Sequence, residues 1–182
     1  MQNPSPGPVE GPELETARLR LRGHRIGDHE ACAAMWGDME VARFIGGRPS
    51  TREEVWGRLL RYAGLWALLG FGYWAVEDRA SGDFVGDVGF ADFKRDIAPS
   101  MDGLPEIGWA LAPRWHGRGY AIEAVSAALA WADQRFAATV CIIAPENLPS
   151  IGVARKCGFA EIARTTYRGE PTLMYRRAPV TT

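Results

Sequence analysis

The segment RWHGRGYAIEA, residues 114–124, constrains the fold of this chain more than any other stretch. An extended apolar stretch ends at Pro113 just before it, and an apolar pattern with helical spacing follows it. A strand therefore passes into a helix through a turn that holds Gly117, Gly119 and the small Ala121. The first N–H groups of a helix have no partner within the helix, and the helix dipole adds positive charge there. The pattern predicts a seat for a phosphate-bearing ligand, and a turn that only needs glycine is the alternative.

The order of the glycines excludes the two commonest phosphate-binding loops. A P-loop requires Gly-x-x-x-x-Gly-Lys-Ser/Thr, and the sequence contains no such string. A dinucleotide-binding fingerprint requires Gly-x-Gly-x-x-Gly, and no glycine stands three residues after Gly119.

Hydrophobic periodicity predicts a single α/β or α+β domain, with a mixed sheet of about seven strands flanked by helices. The alternation in ARLRLRGHR, residues 17–25, indicates a half-buried strand. The continuous apolar run TVCIIAP, residues 139–145, is typical of a strand that is buried on both faces. The segment PST before Glu53 and Glu54 predicts a helix start, and this helix should end near Gly70. The other predicted strands are YWAVED, DFVGDVGFADF, EIGWALAP and two segments near 161–167 and 172–177, and the other predicted helices begin near residues 28, 119 and 147.

Composition sets limits on the kind of protein. The formal net charge of −1 provides no overall basic field for nucleic acid or an anionic membrane. The longest uncharged stretch, residues 62–76, is shorter than the roughly 20 residues of a membrane span. Three widely spaced cysteines (Cys32, Cys141, Cys157) and the lack of a signal sequence indicate a reducing cytoplasm. We expect a domain over residues 14–177, a loose Pro- and Gly-rich arm over residues 1–13 and a short tail over residues 178–182.

Several motifs in this order resemble the GCN5-related N-acetyltransferases (GNAT). Arg114-x-x-Gly117-x-Gly119-x-Ala121 matches the family's Arg/Gln-x-x-Gly-x-Gly/Ala signature. ETARLRLR resembles the first strand of the family, EIGWALAPRWHGRGYAIEA the fourth strand and third helix, and NLPSIGVARKCGF the Asn-x-x-Ser segment after the fifth strand. The resemblance covers about Leu14 to Arg177 and points to the RimJ/RimL branch of ribosomal-protein alanine acetyltransferases.

The resemblance implies that the turn binds the diphosphate of acetyl-CoA through backbone N–H groups and without a metal. Arg114 and Arg118 add full positive charge beside the turn. His24, His29 and Cys32 do not have the spacing of a zinc site. The family resemblance implies that the following residues bind the cofactor: Trp109, Ala110, Leu111, Arg114, Trp115, His116, Gly117, Arg118, Gly119, Tyr120, Ala121 and Asn147.

The strand before the turn carries a candidate catalytic base. Its side chains alternate, so Glu106 shares one face with small residues only, Gly108, Ala110 and Ala112. The resemblance implies that the pantetheine arm lies along this strand, while tight packing of the sheet is the alternative. Glu106 would take a proton from the acceptor amine through water. A carboxylate that is solvated or paired with an arginine is the other interpretation.

A proton donor for the leaving thiolate is harder to identify. Many relatives place a tyrosine in the helix after the fifth strand, but SIGVARKCGF contains none. In the RimJ/RimL branch the serine of Asn-x-x-Ser is a proposed donor, which corresponds to Ser150, and a helix cap is the alternative. Asn147 matches the family's asparagine that binds the pantetheine, and the alternative is again that it only caps the helix.

The function predicted on this basis is acetyl transfer from acetyl-CoA to a primary amine. The acceptor, a protein N-terminus or a small molecule, is not encoded in any motif. A non-catalytic acyl-CoA-binding module and an ATP- and magnesium-dependent enzyme are the competing hypotheses. Whether the chain forms a homodimer is left open.

Overall fold

A computed structural model describes residues 11–179, in which eight strands form one mixed sheet. The strands run in the order β1-β2-β3-β4-β5-β6-β8-β7. They are β1 (Leu14–Glu15), β2 (Leu19–Arg22), β3 (Tyr73–Asp78), β4 (Phe84–Ala91), β5 (Glu106–Leu111), β6 (Thr139–Ile143), β7 (Ala160–Tyr167) and β8 (Glu170–Arg177). The α-helices are α1 (His29–Trp36), α2 (Met39–Ala42), α3 (Arg52–Leu69), α4 (Tyr120–Ala132) and α5 (Leu148–Lys156).

The predicted mixed sheet with flanking helices is confirmed, and the strand count of about seven was slightly low. The additional strand is β1, a two-residue segment that is too short to show a periodic pattern. Local signals placed α3 correctly: Thr51 and Glu54 form a capping box, and Gly70 ends the helix in the left-handed conformation, with φ of 71°.

The sheet is antiparallel except where β5 and β6 meet. These two strands run parallel and pair only at Glu106 and Val140. By contrast, β4 and β5 pair over six consecutive positions. The centre of the sheet therefore opens between β5 and β6 beyond their first residues.

The two faces of the sheet differ in size and polarity. One face carries large apolar side chains, such as Trp74, Phe90 and Ile107, and α4 packs against it. We call the opposite face the α1/α3 face, because Met35 of α1 and Leu59 of α3 cover it. On β5 the α1/α3 face holds the small residues predicted from the sequence.

The predicted N-terminal arm falls largely on residues 1–10, outside the described residues. Its last part is packed against the domain, since Gly11 is buried against the Trp66 ring. The carbonyl of Pro12 accepts a hydrogen bond of 2.8 Å from the Trp74 indole. The predicted tail is described only at residues 178 and 179. No helix between residues 11 and 179 is both long and apolar enough to cross a membrane.

Candidate active site

The turn between β5 and α4 presents open backbone amides. Residues 113–115 form one 3-10 turn, and the next four residues are exposed. Gly117 and Gly119 have φ values of 71° and 79°, which glycine adopts at little cost. Gly119 is the N-cap of α4 and has no side chain, so the N–H groups of Tyr120 to Ile122 have no side-chain cap. A Cβ on Gly117 would meet nothing within 4 Å. The turn thus leaves room at Gly117, next to the positive end of a helix of 13 residues.

Two large side chains of the turn hold it against the domain instead of facing this space. The buried Trp115 donates from its indole to the carbonyl of Phe84 at 3.2 Å. The buried Tyr120 donates from its hydroxyl to Asp78 Oδ2 at 2.9 Å. Burial and hydrogen bonding therefore leave the backbone of these two residues as the part that can bind a ligand.

The cationic residues of the turn have separate environments. Arg118 lies over the rings of Trp115 and Tyr120, 5.0 and 5.1 Å from their centroids. The side chain of Arg114 is 61% exposed and lies 3.7 Å from Asp83. His116 folds back onto the end of β5, where Nε2 lies 2.8 Å from the carbonyl oxygen of Leu111.

A third arginine beside the turn is Arg18, the residue just before β2, which was not identified from the sequence. Arg18 donates from Nη1 to the carbonyl of Arg118 at 3.0 Å and from Nε to Glu123 at 2.7 Å. Its guanidinium also lies 4.2 Å from the centroid of the Tyr120 ring. These contacts fix the first turn of α4 to the N-terminal end of β2. Arg18 belongs to the amphipathic pattern of a strand, which gives no indication of this contact.

The middle of β5 is accessible although the strand is central. Gly108 and Trp109 are partly exposed, whereas the two residues on either side of them are buried. The N–H of Ala112 donates to Val85 of β4, at 2.9 Å. Backbone groups alternate along a strand, so those of Trp109 and Leu111 point away from β4 and toward the opening beside β6. The backbone predicted to hold an extended ligand therefore borders an opening, and Ala110 is turned toward β4.

The segment after β6 contains the two predicted polar residues at the start of α5. Asn147 is the N-cap, and its side-chain oxygen accepts from the N–H of Ser150 at 3.2 Å. The capping interpretation thus holds for Asn147, while Ser150 is the third residue of the helix and not its cap. Both residues are partly exposed.

Glu106 is buried on the α1/α3 face and paired with an arginine. Arg95 donates to it twice, from Nε to Oε2 at 2.5 Å and from Nη2 to Oε1 at 2.8 Å. The guanidinium lies between two rings, 4.6 Å from that of Phe93 and 4.9 Å from that of Tyr167. Burial opposes the charge of Arg95, but its hydrogen bond and charge interaction with Glu106 raise its pKa. The arginine-paired interpretation of Glu106 therefore describes this conformation.

A small depression, open to solvent, borders this ion pair. It lies under the segment that connects β4 to β5. Its lining residues are Ala91, Asp92, Phe93, Lys94, Arg95, Met101, Asp102, Leu104 and Glu106. The lining mixes carboxylates and cations next to the one strand that is open in the middle, so a polar ligand could approach β5 from this face.

A second buried carboxylate, also missed from the sequence, lies on the α1/α3 face. Asp87 of β4 is directly opposite Ala110 and is fully buried. It lies 2.8 Å from His24 Nε2 and accepts from the Trp36 indole, also at 2.8 Å. A charged residue within the strand segment GDVG was the available signal. Its partners come from other elements, which spacing along the chain does not reveal.

The thiol of Cys32 completes this buried cluster. Ligand atoms of His24, Cys32 and Asp87 lie within 4.8 Å of one another. The His24–Asp87 hydrogen bond, however, joins two of those atoms directly. Burial, followed by the charge of Asp87, raises the pKa of the Cys32 thiol well above its usual range. In this structure the three side chains belong to the buried part of the α1/α3 face, where His24 and Asp87 are joined by a hydrogen bond.

The chain is similar to known proteins in both sequence and structure. A family model described as an acetyltransferase (GNAT) domain matches residues 18–160. The uncharacterized protein YkkB of Bacillus subtilis (strain 168) is 29% identical over 171 residues, which cover 91% of this chain and 95% of YkkB.

Solved structures give the same result. A putative GNAT-family acetyltransferase from Bordetella pertussis superposes with a TM-score of 0.80 at 32% identity, and the match covers 92% of this chain and 99% of that one. RimL, described as a ribosomal L7/L12 α-N-protein acetyltransferase in complex with coenzyme A, superposes with a TM-score of 0.75. Its identity is 15%, over 92% of this chain and 98% of RimL, and this likeness concerns the fold alone.

Proposed function

Because this chain belongs to the GNAT acetyltransferase family, we propose that it moves an acetyl group from acetyl-CoA to a primary amine by direct transfer in a ternary complex. The observation that carries the proposal is that one strand–turn–helix unit contains two accessible backbone features. These are the exposed middle of β5 and the uncapped amides at the start of α4. A ligand with a diphosphate and a long thin arm could occupy both.

The cofactor would be held mainly by backbone groups. The diphosphate would accept hydrogen bonds from the amides of residues 117–122, with Arg114 and Arg118 supplying charge. The pantetheine arm would follow the backbone of Trp109 and Leu111 into the opening beside β6. Asn147, which follows β6 in the chain, would contact the arm from the start of α5, although its side-chain oxygen already caps the helix.

The chemistry then needs a neutral amine, a stabilised oxyanion and a protonated leaving group. The amine nitrogen forms a bond to the thioester carbon, and the C–S bond breaks with its electron pair going to sulfur. Glu106 would accept the proton of the amine through water. The N–H of Trp109 is free to face the oxyanion, since the alternation turns Ala110 toward β4. Ser150 is the donor to sulfur that the sequence predicts.

The Arg95–Glu106 pair supports a second candidate function, a non-catalytic acyl-CoA-binding module. A carboxylate that already accepts two hydrogen bonds from a guanidinium is not free to act as a base. In the catalytic proposal, the segment that carries Arg95 moves when the acceptor enters. In the second proposal, the pair is permanent.

Release of free thiol from acetyl-CoA distinguishes the two candidates. The panel of acceptors would include peptides with free N-terminal amines, the class that the fold likeness to RimL makes the first choice, together with polyamines and aminoglycosides. Mass spectrometry of the products would identify the acetylated nitrogen. Thiol release with at least one acceptor is the expected result. Tight binding of acetyl-CoA without turnover on any amine would support the binding module instead.

A further inference from the structure

Tyr73 crosses the sheet and places its hydroxyl on β5. It is the first residue of β3, and it pairs with Gly89 of β4. A Cβ on Gly89 would overlap the Tyr73 backbone, so only glycine lets the two strands approach this closely here. A Cβ on Gly108, one strand further, would overlap the Tyr73 hydroxyl oxygen, while its distance to Tyr73 Cζ would be 3.4 Å. The phenol therefore spans β4 and ends against the accessible middle of β5.

The hydroxyl lies on the same face as Glu106. Side chains alternate along β5, so Glu106 and the hydrogen atoms of Gly108 point to the α1/α3 face together. Tyr73 packs in one cluster with Ala91 and Phe93, both of which line the depression beside Glu106. Two polar groups thus lie on this face of β5. One is the carboxylate of Glu106, and the other is the Tyr73 hydroxyl, which lies against Gly108.

The Tyr73 ring is held firmly and its hydroxyl stays neutral. It stacks on Tyr62 with ring centroids 4.3 Å apart and an interplanar angle of 11°. Burial, followed by the charge of Glu106, raises the pKa of Tyr73 well above its usual range. A neutral phenol offers one donor and lone pairs that accept hydrogen bonds. This is the functionality that recognises an amine which has lost its extra proton.

We propose that the Tyr73 hydroxyl binds the attacking amine nitrogen and orients its lone pair toward the thioester carbon. This rests on the proposed acetyl transfer. The amine would enter from the depression on the α1/α3 face, while the cofactor arm occupies the opening between β5 and β6. Tyr73 accepts a hydrogen bond from an N–H of the amine and neither gains nor loses a proton, and Glu106 takes the proton that the nitrogen loses.

The Tyr73→Phe variant tests the role of the hydroxyl, because it keeps the stacked ring and removes one oxygen. We expect kcat/KM for the amine to fall about ten- to a hundredfold, the effect of one lost buried hydrogen bond. The dissociation constant of acetyl-CoA should stay within twofold of the wild type. Tyr175→Phe is the matched control, since the Tyr175 hydroxyl is buried in the core without a partner among the described residues.

A double-mutant cycle tests the position of the hydroxyl independently of catalysis. Gly108→Ala should lower the Tm by several degrees because the new Cβ overlaps the Tyr73 oxygen. In the Tyr73→Phe background the nearest ring atom is Cζ, at an ordinary contact distance of 3.4 Å. The same Gly108→Ala change should then have a much smaller effect on the Tm. Equal destabilisation in the two backgrounds would place the hydroxyl elsewhere and overturn the proposal.

The outcomes separate this proposal from the proposed function. A wild type that acetylates no amine means that the transfer reaction itself is wrong. A wild type that is active, with Tyr73→Phe retaining more than half of its kcat/KM for the amine, overturns the role of Tyr73 alone. A Tyr73→Phe variant whose dissociation constant for acetyl-CoA rises as much as its kcat/KM for the amine falls also overturns it, because the hydroxyl would then bind the cofactor and not the amine.

Discussion

At the scale of single residues, the partners of Glu106 decide how the site works. The alternation of EIGWALAP was enough to predict a carboxylate surrounded by small residues. It did not predict Arg95, which lies 11 positions earlier and contacts Glu106 from a segment with no regular structure. Asp87 was missed for a similar reason, since its partners His24 and Trp36 lie outside the sheet. The contact of the Tyr73 hydroxyl with Gly108 likewise joins two strands that are separated by β4. Spacing along one strand identifies a face, but only the sheet order identifies what shares that face.

The Glu106→Gln variant tests the proposed base. We expect kcat to fall by about 10²- to 10⁴-fold with little change in acetyl-CoA affinity, because the substitution removes a proton acceptor and leaves the phosphate seat intact. Steady-state kinetics across pH measure both effects. Glu161→Gln is a suitable control, as Glu161 is another arginine-paired glutamate, near the opposite end of β7 from Tyr167. An unchanged kcat with an unchanged pH profile argues against Glu106 as the base.

Asp28 predicts how stability depends on pH. Burial opposes its ionisation, but hydrogen bonds from Arg22 and from the N–H of Arg25 outweigh burial and lower its pKa below the ordinary value of 3.8. A lowered pKa stabilises the fold above pH 3.8, and this contribution is lost as the pH falls through the folded-state value. Asp28→Asn should therefore lower the free energy of unfolding at pH 7 and weaken its dependence on pH below about 4. Urea titrations from pH 3 to 7 measure this, and an unaltered acid dependence contradicts it.

At the scale of elements, the turn between β5 and α4 was the most predictable part of the molecule. Its two glycines, the strand before it and the helix after it were all legible, because each depends on interactions within a few residues. The opening between β5 and β6 was not legible. It results from a parallel pair that meets only at Glu106 and Val140, which no local pattern encodes.

Gly119→Glu tests the phosphate seat. The backbone at this position has a φ of 79°, and a carboxylate would stand among the amides that face the ligand. We expect loss of acetyl-CoA binding by calorimetry, from electrostatic repulsion and from the strain of a side chain in the left-handed region. Gly57→Glu introduces the same charge on α3, where a Cβ would meet nothing within 4 Å, and should retain binding. Normal affinity in the Gly119→Glu variant would place the seat elsewhere.

At the scale of the whole molecule, the sheet separates two ligand paths. The cofactor arm would enter through the opening in the sheet, and the acceptor would enter over the α1/α3 face. The order of the elements could be predicted because the spacing of apolar residues differs between strands and helices and changes at each boundary along the chain. Which helices cover the α1/α3 face could not be predicted, because α1 and α3 lie far from β5 along the chain.

Thermal shifts test the identity of the cofactor for the intact chain. Acetyl-CoA at 100 times its dissociation constant should add about 2.7 kcal/mol of stability. For a chain of this length that corresponds to a rise in Tm of roughly 5–10 °C. ATP with magnesium should give no comparable shift, since the sequence lacks a P-loop. A larger shift with ATP and magnesium than with acetyl-CoA would favour the nucleotide-dependent hypothesis.

The most direct test of the account is a crystal structure of the protein with coenzyme A. We expect diphosphate oxygens within about 3 Å of the backbone nitrogens of residues 117–122, the usual length of an N–H···O hydrogen bond. We also expect the pantetheine to lie between β5 and β6. A diphosphate bound at any other part of the surface would contradict the central claim, that the uncapped amides of this turn aim the thioester at β5.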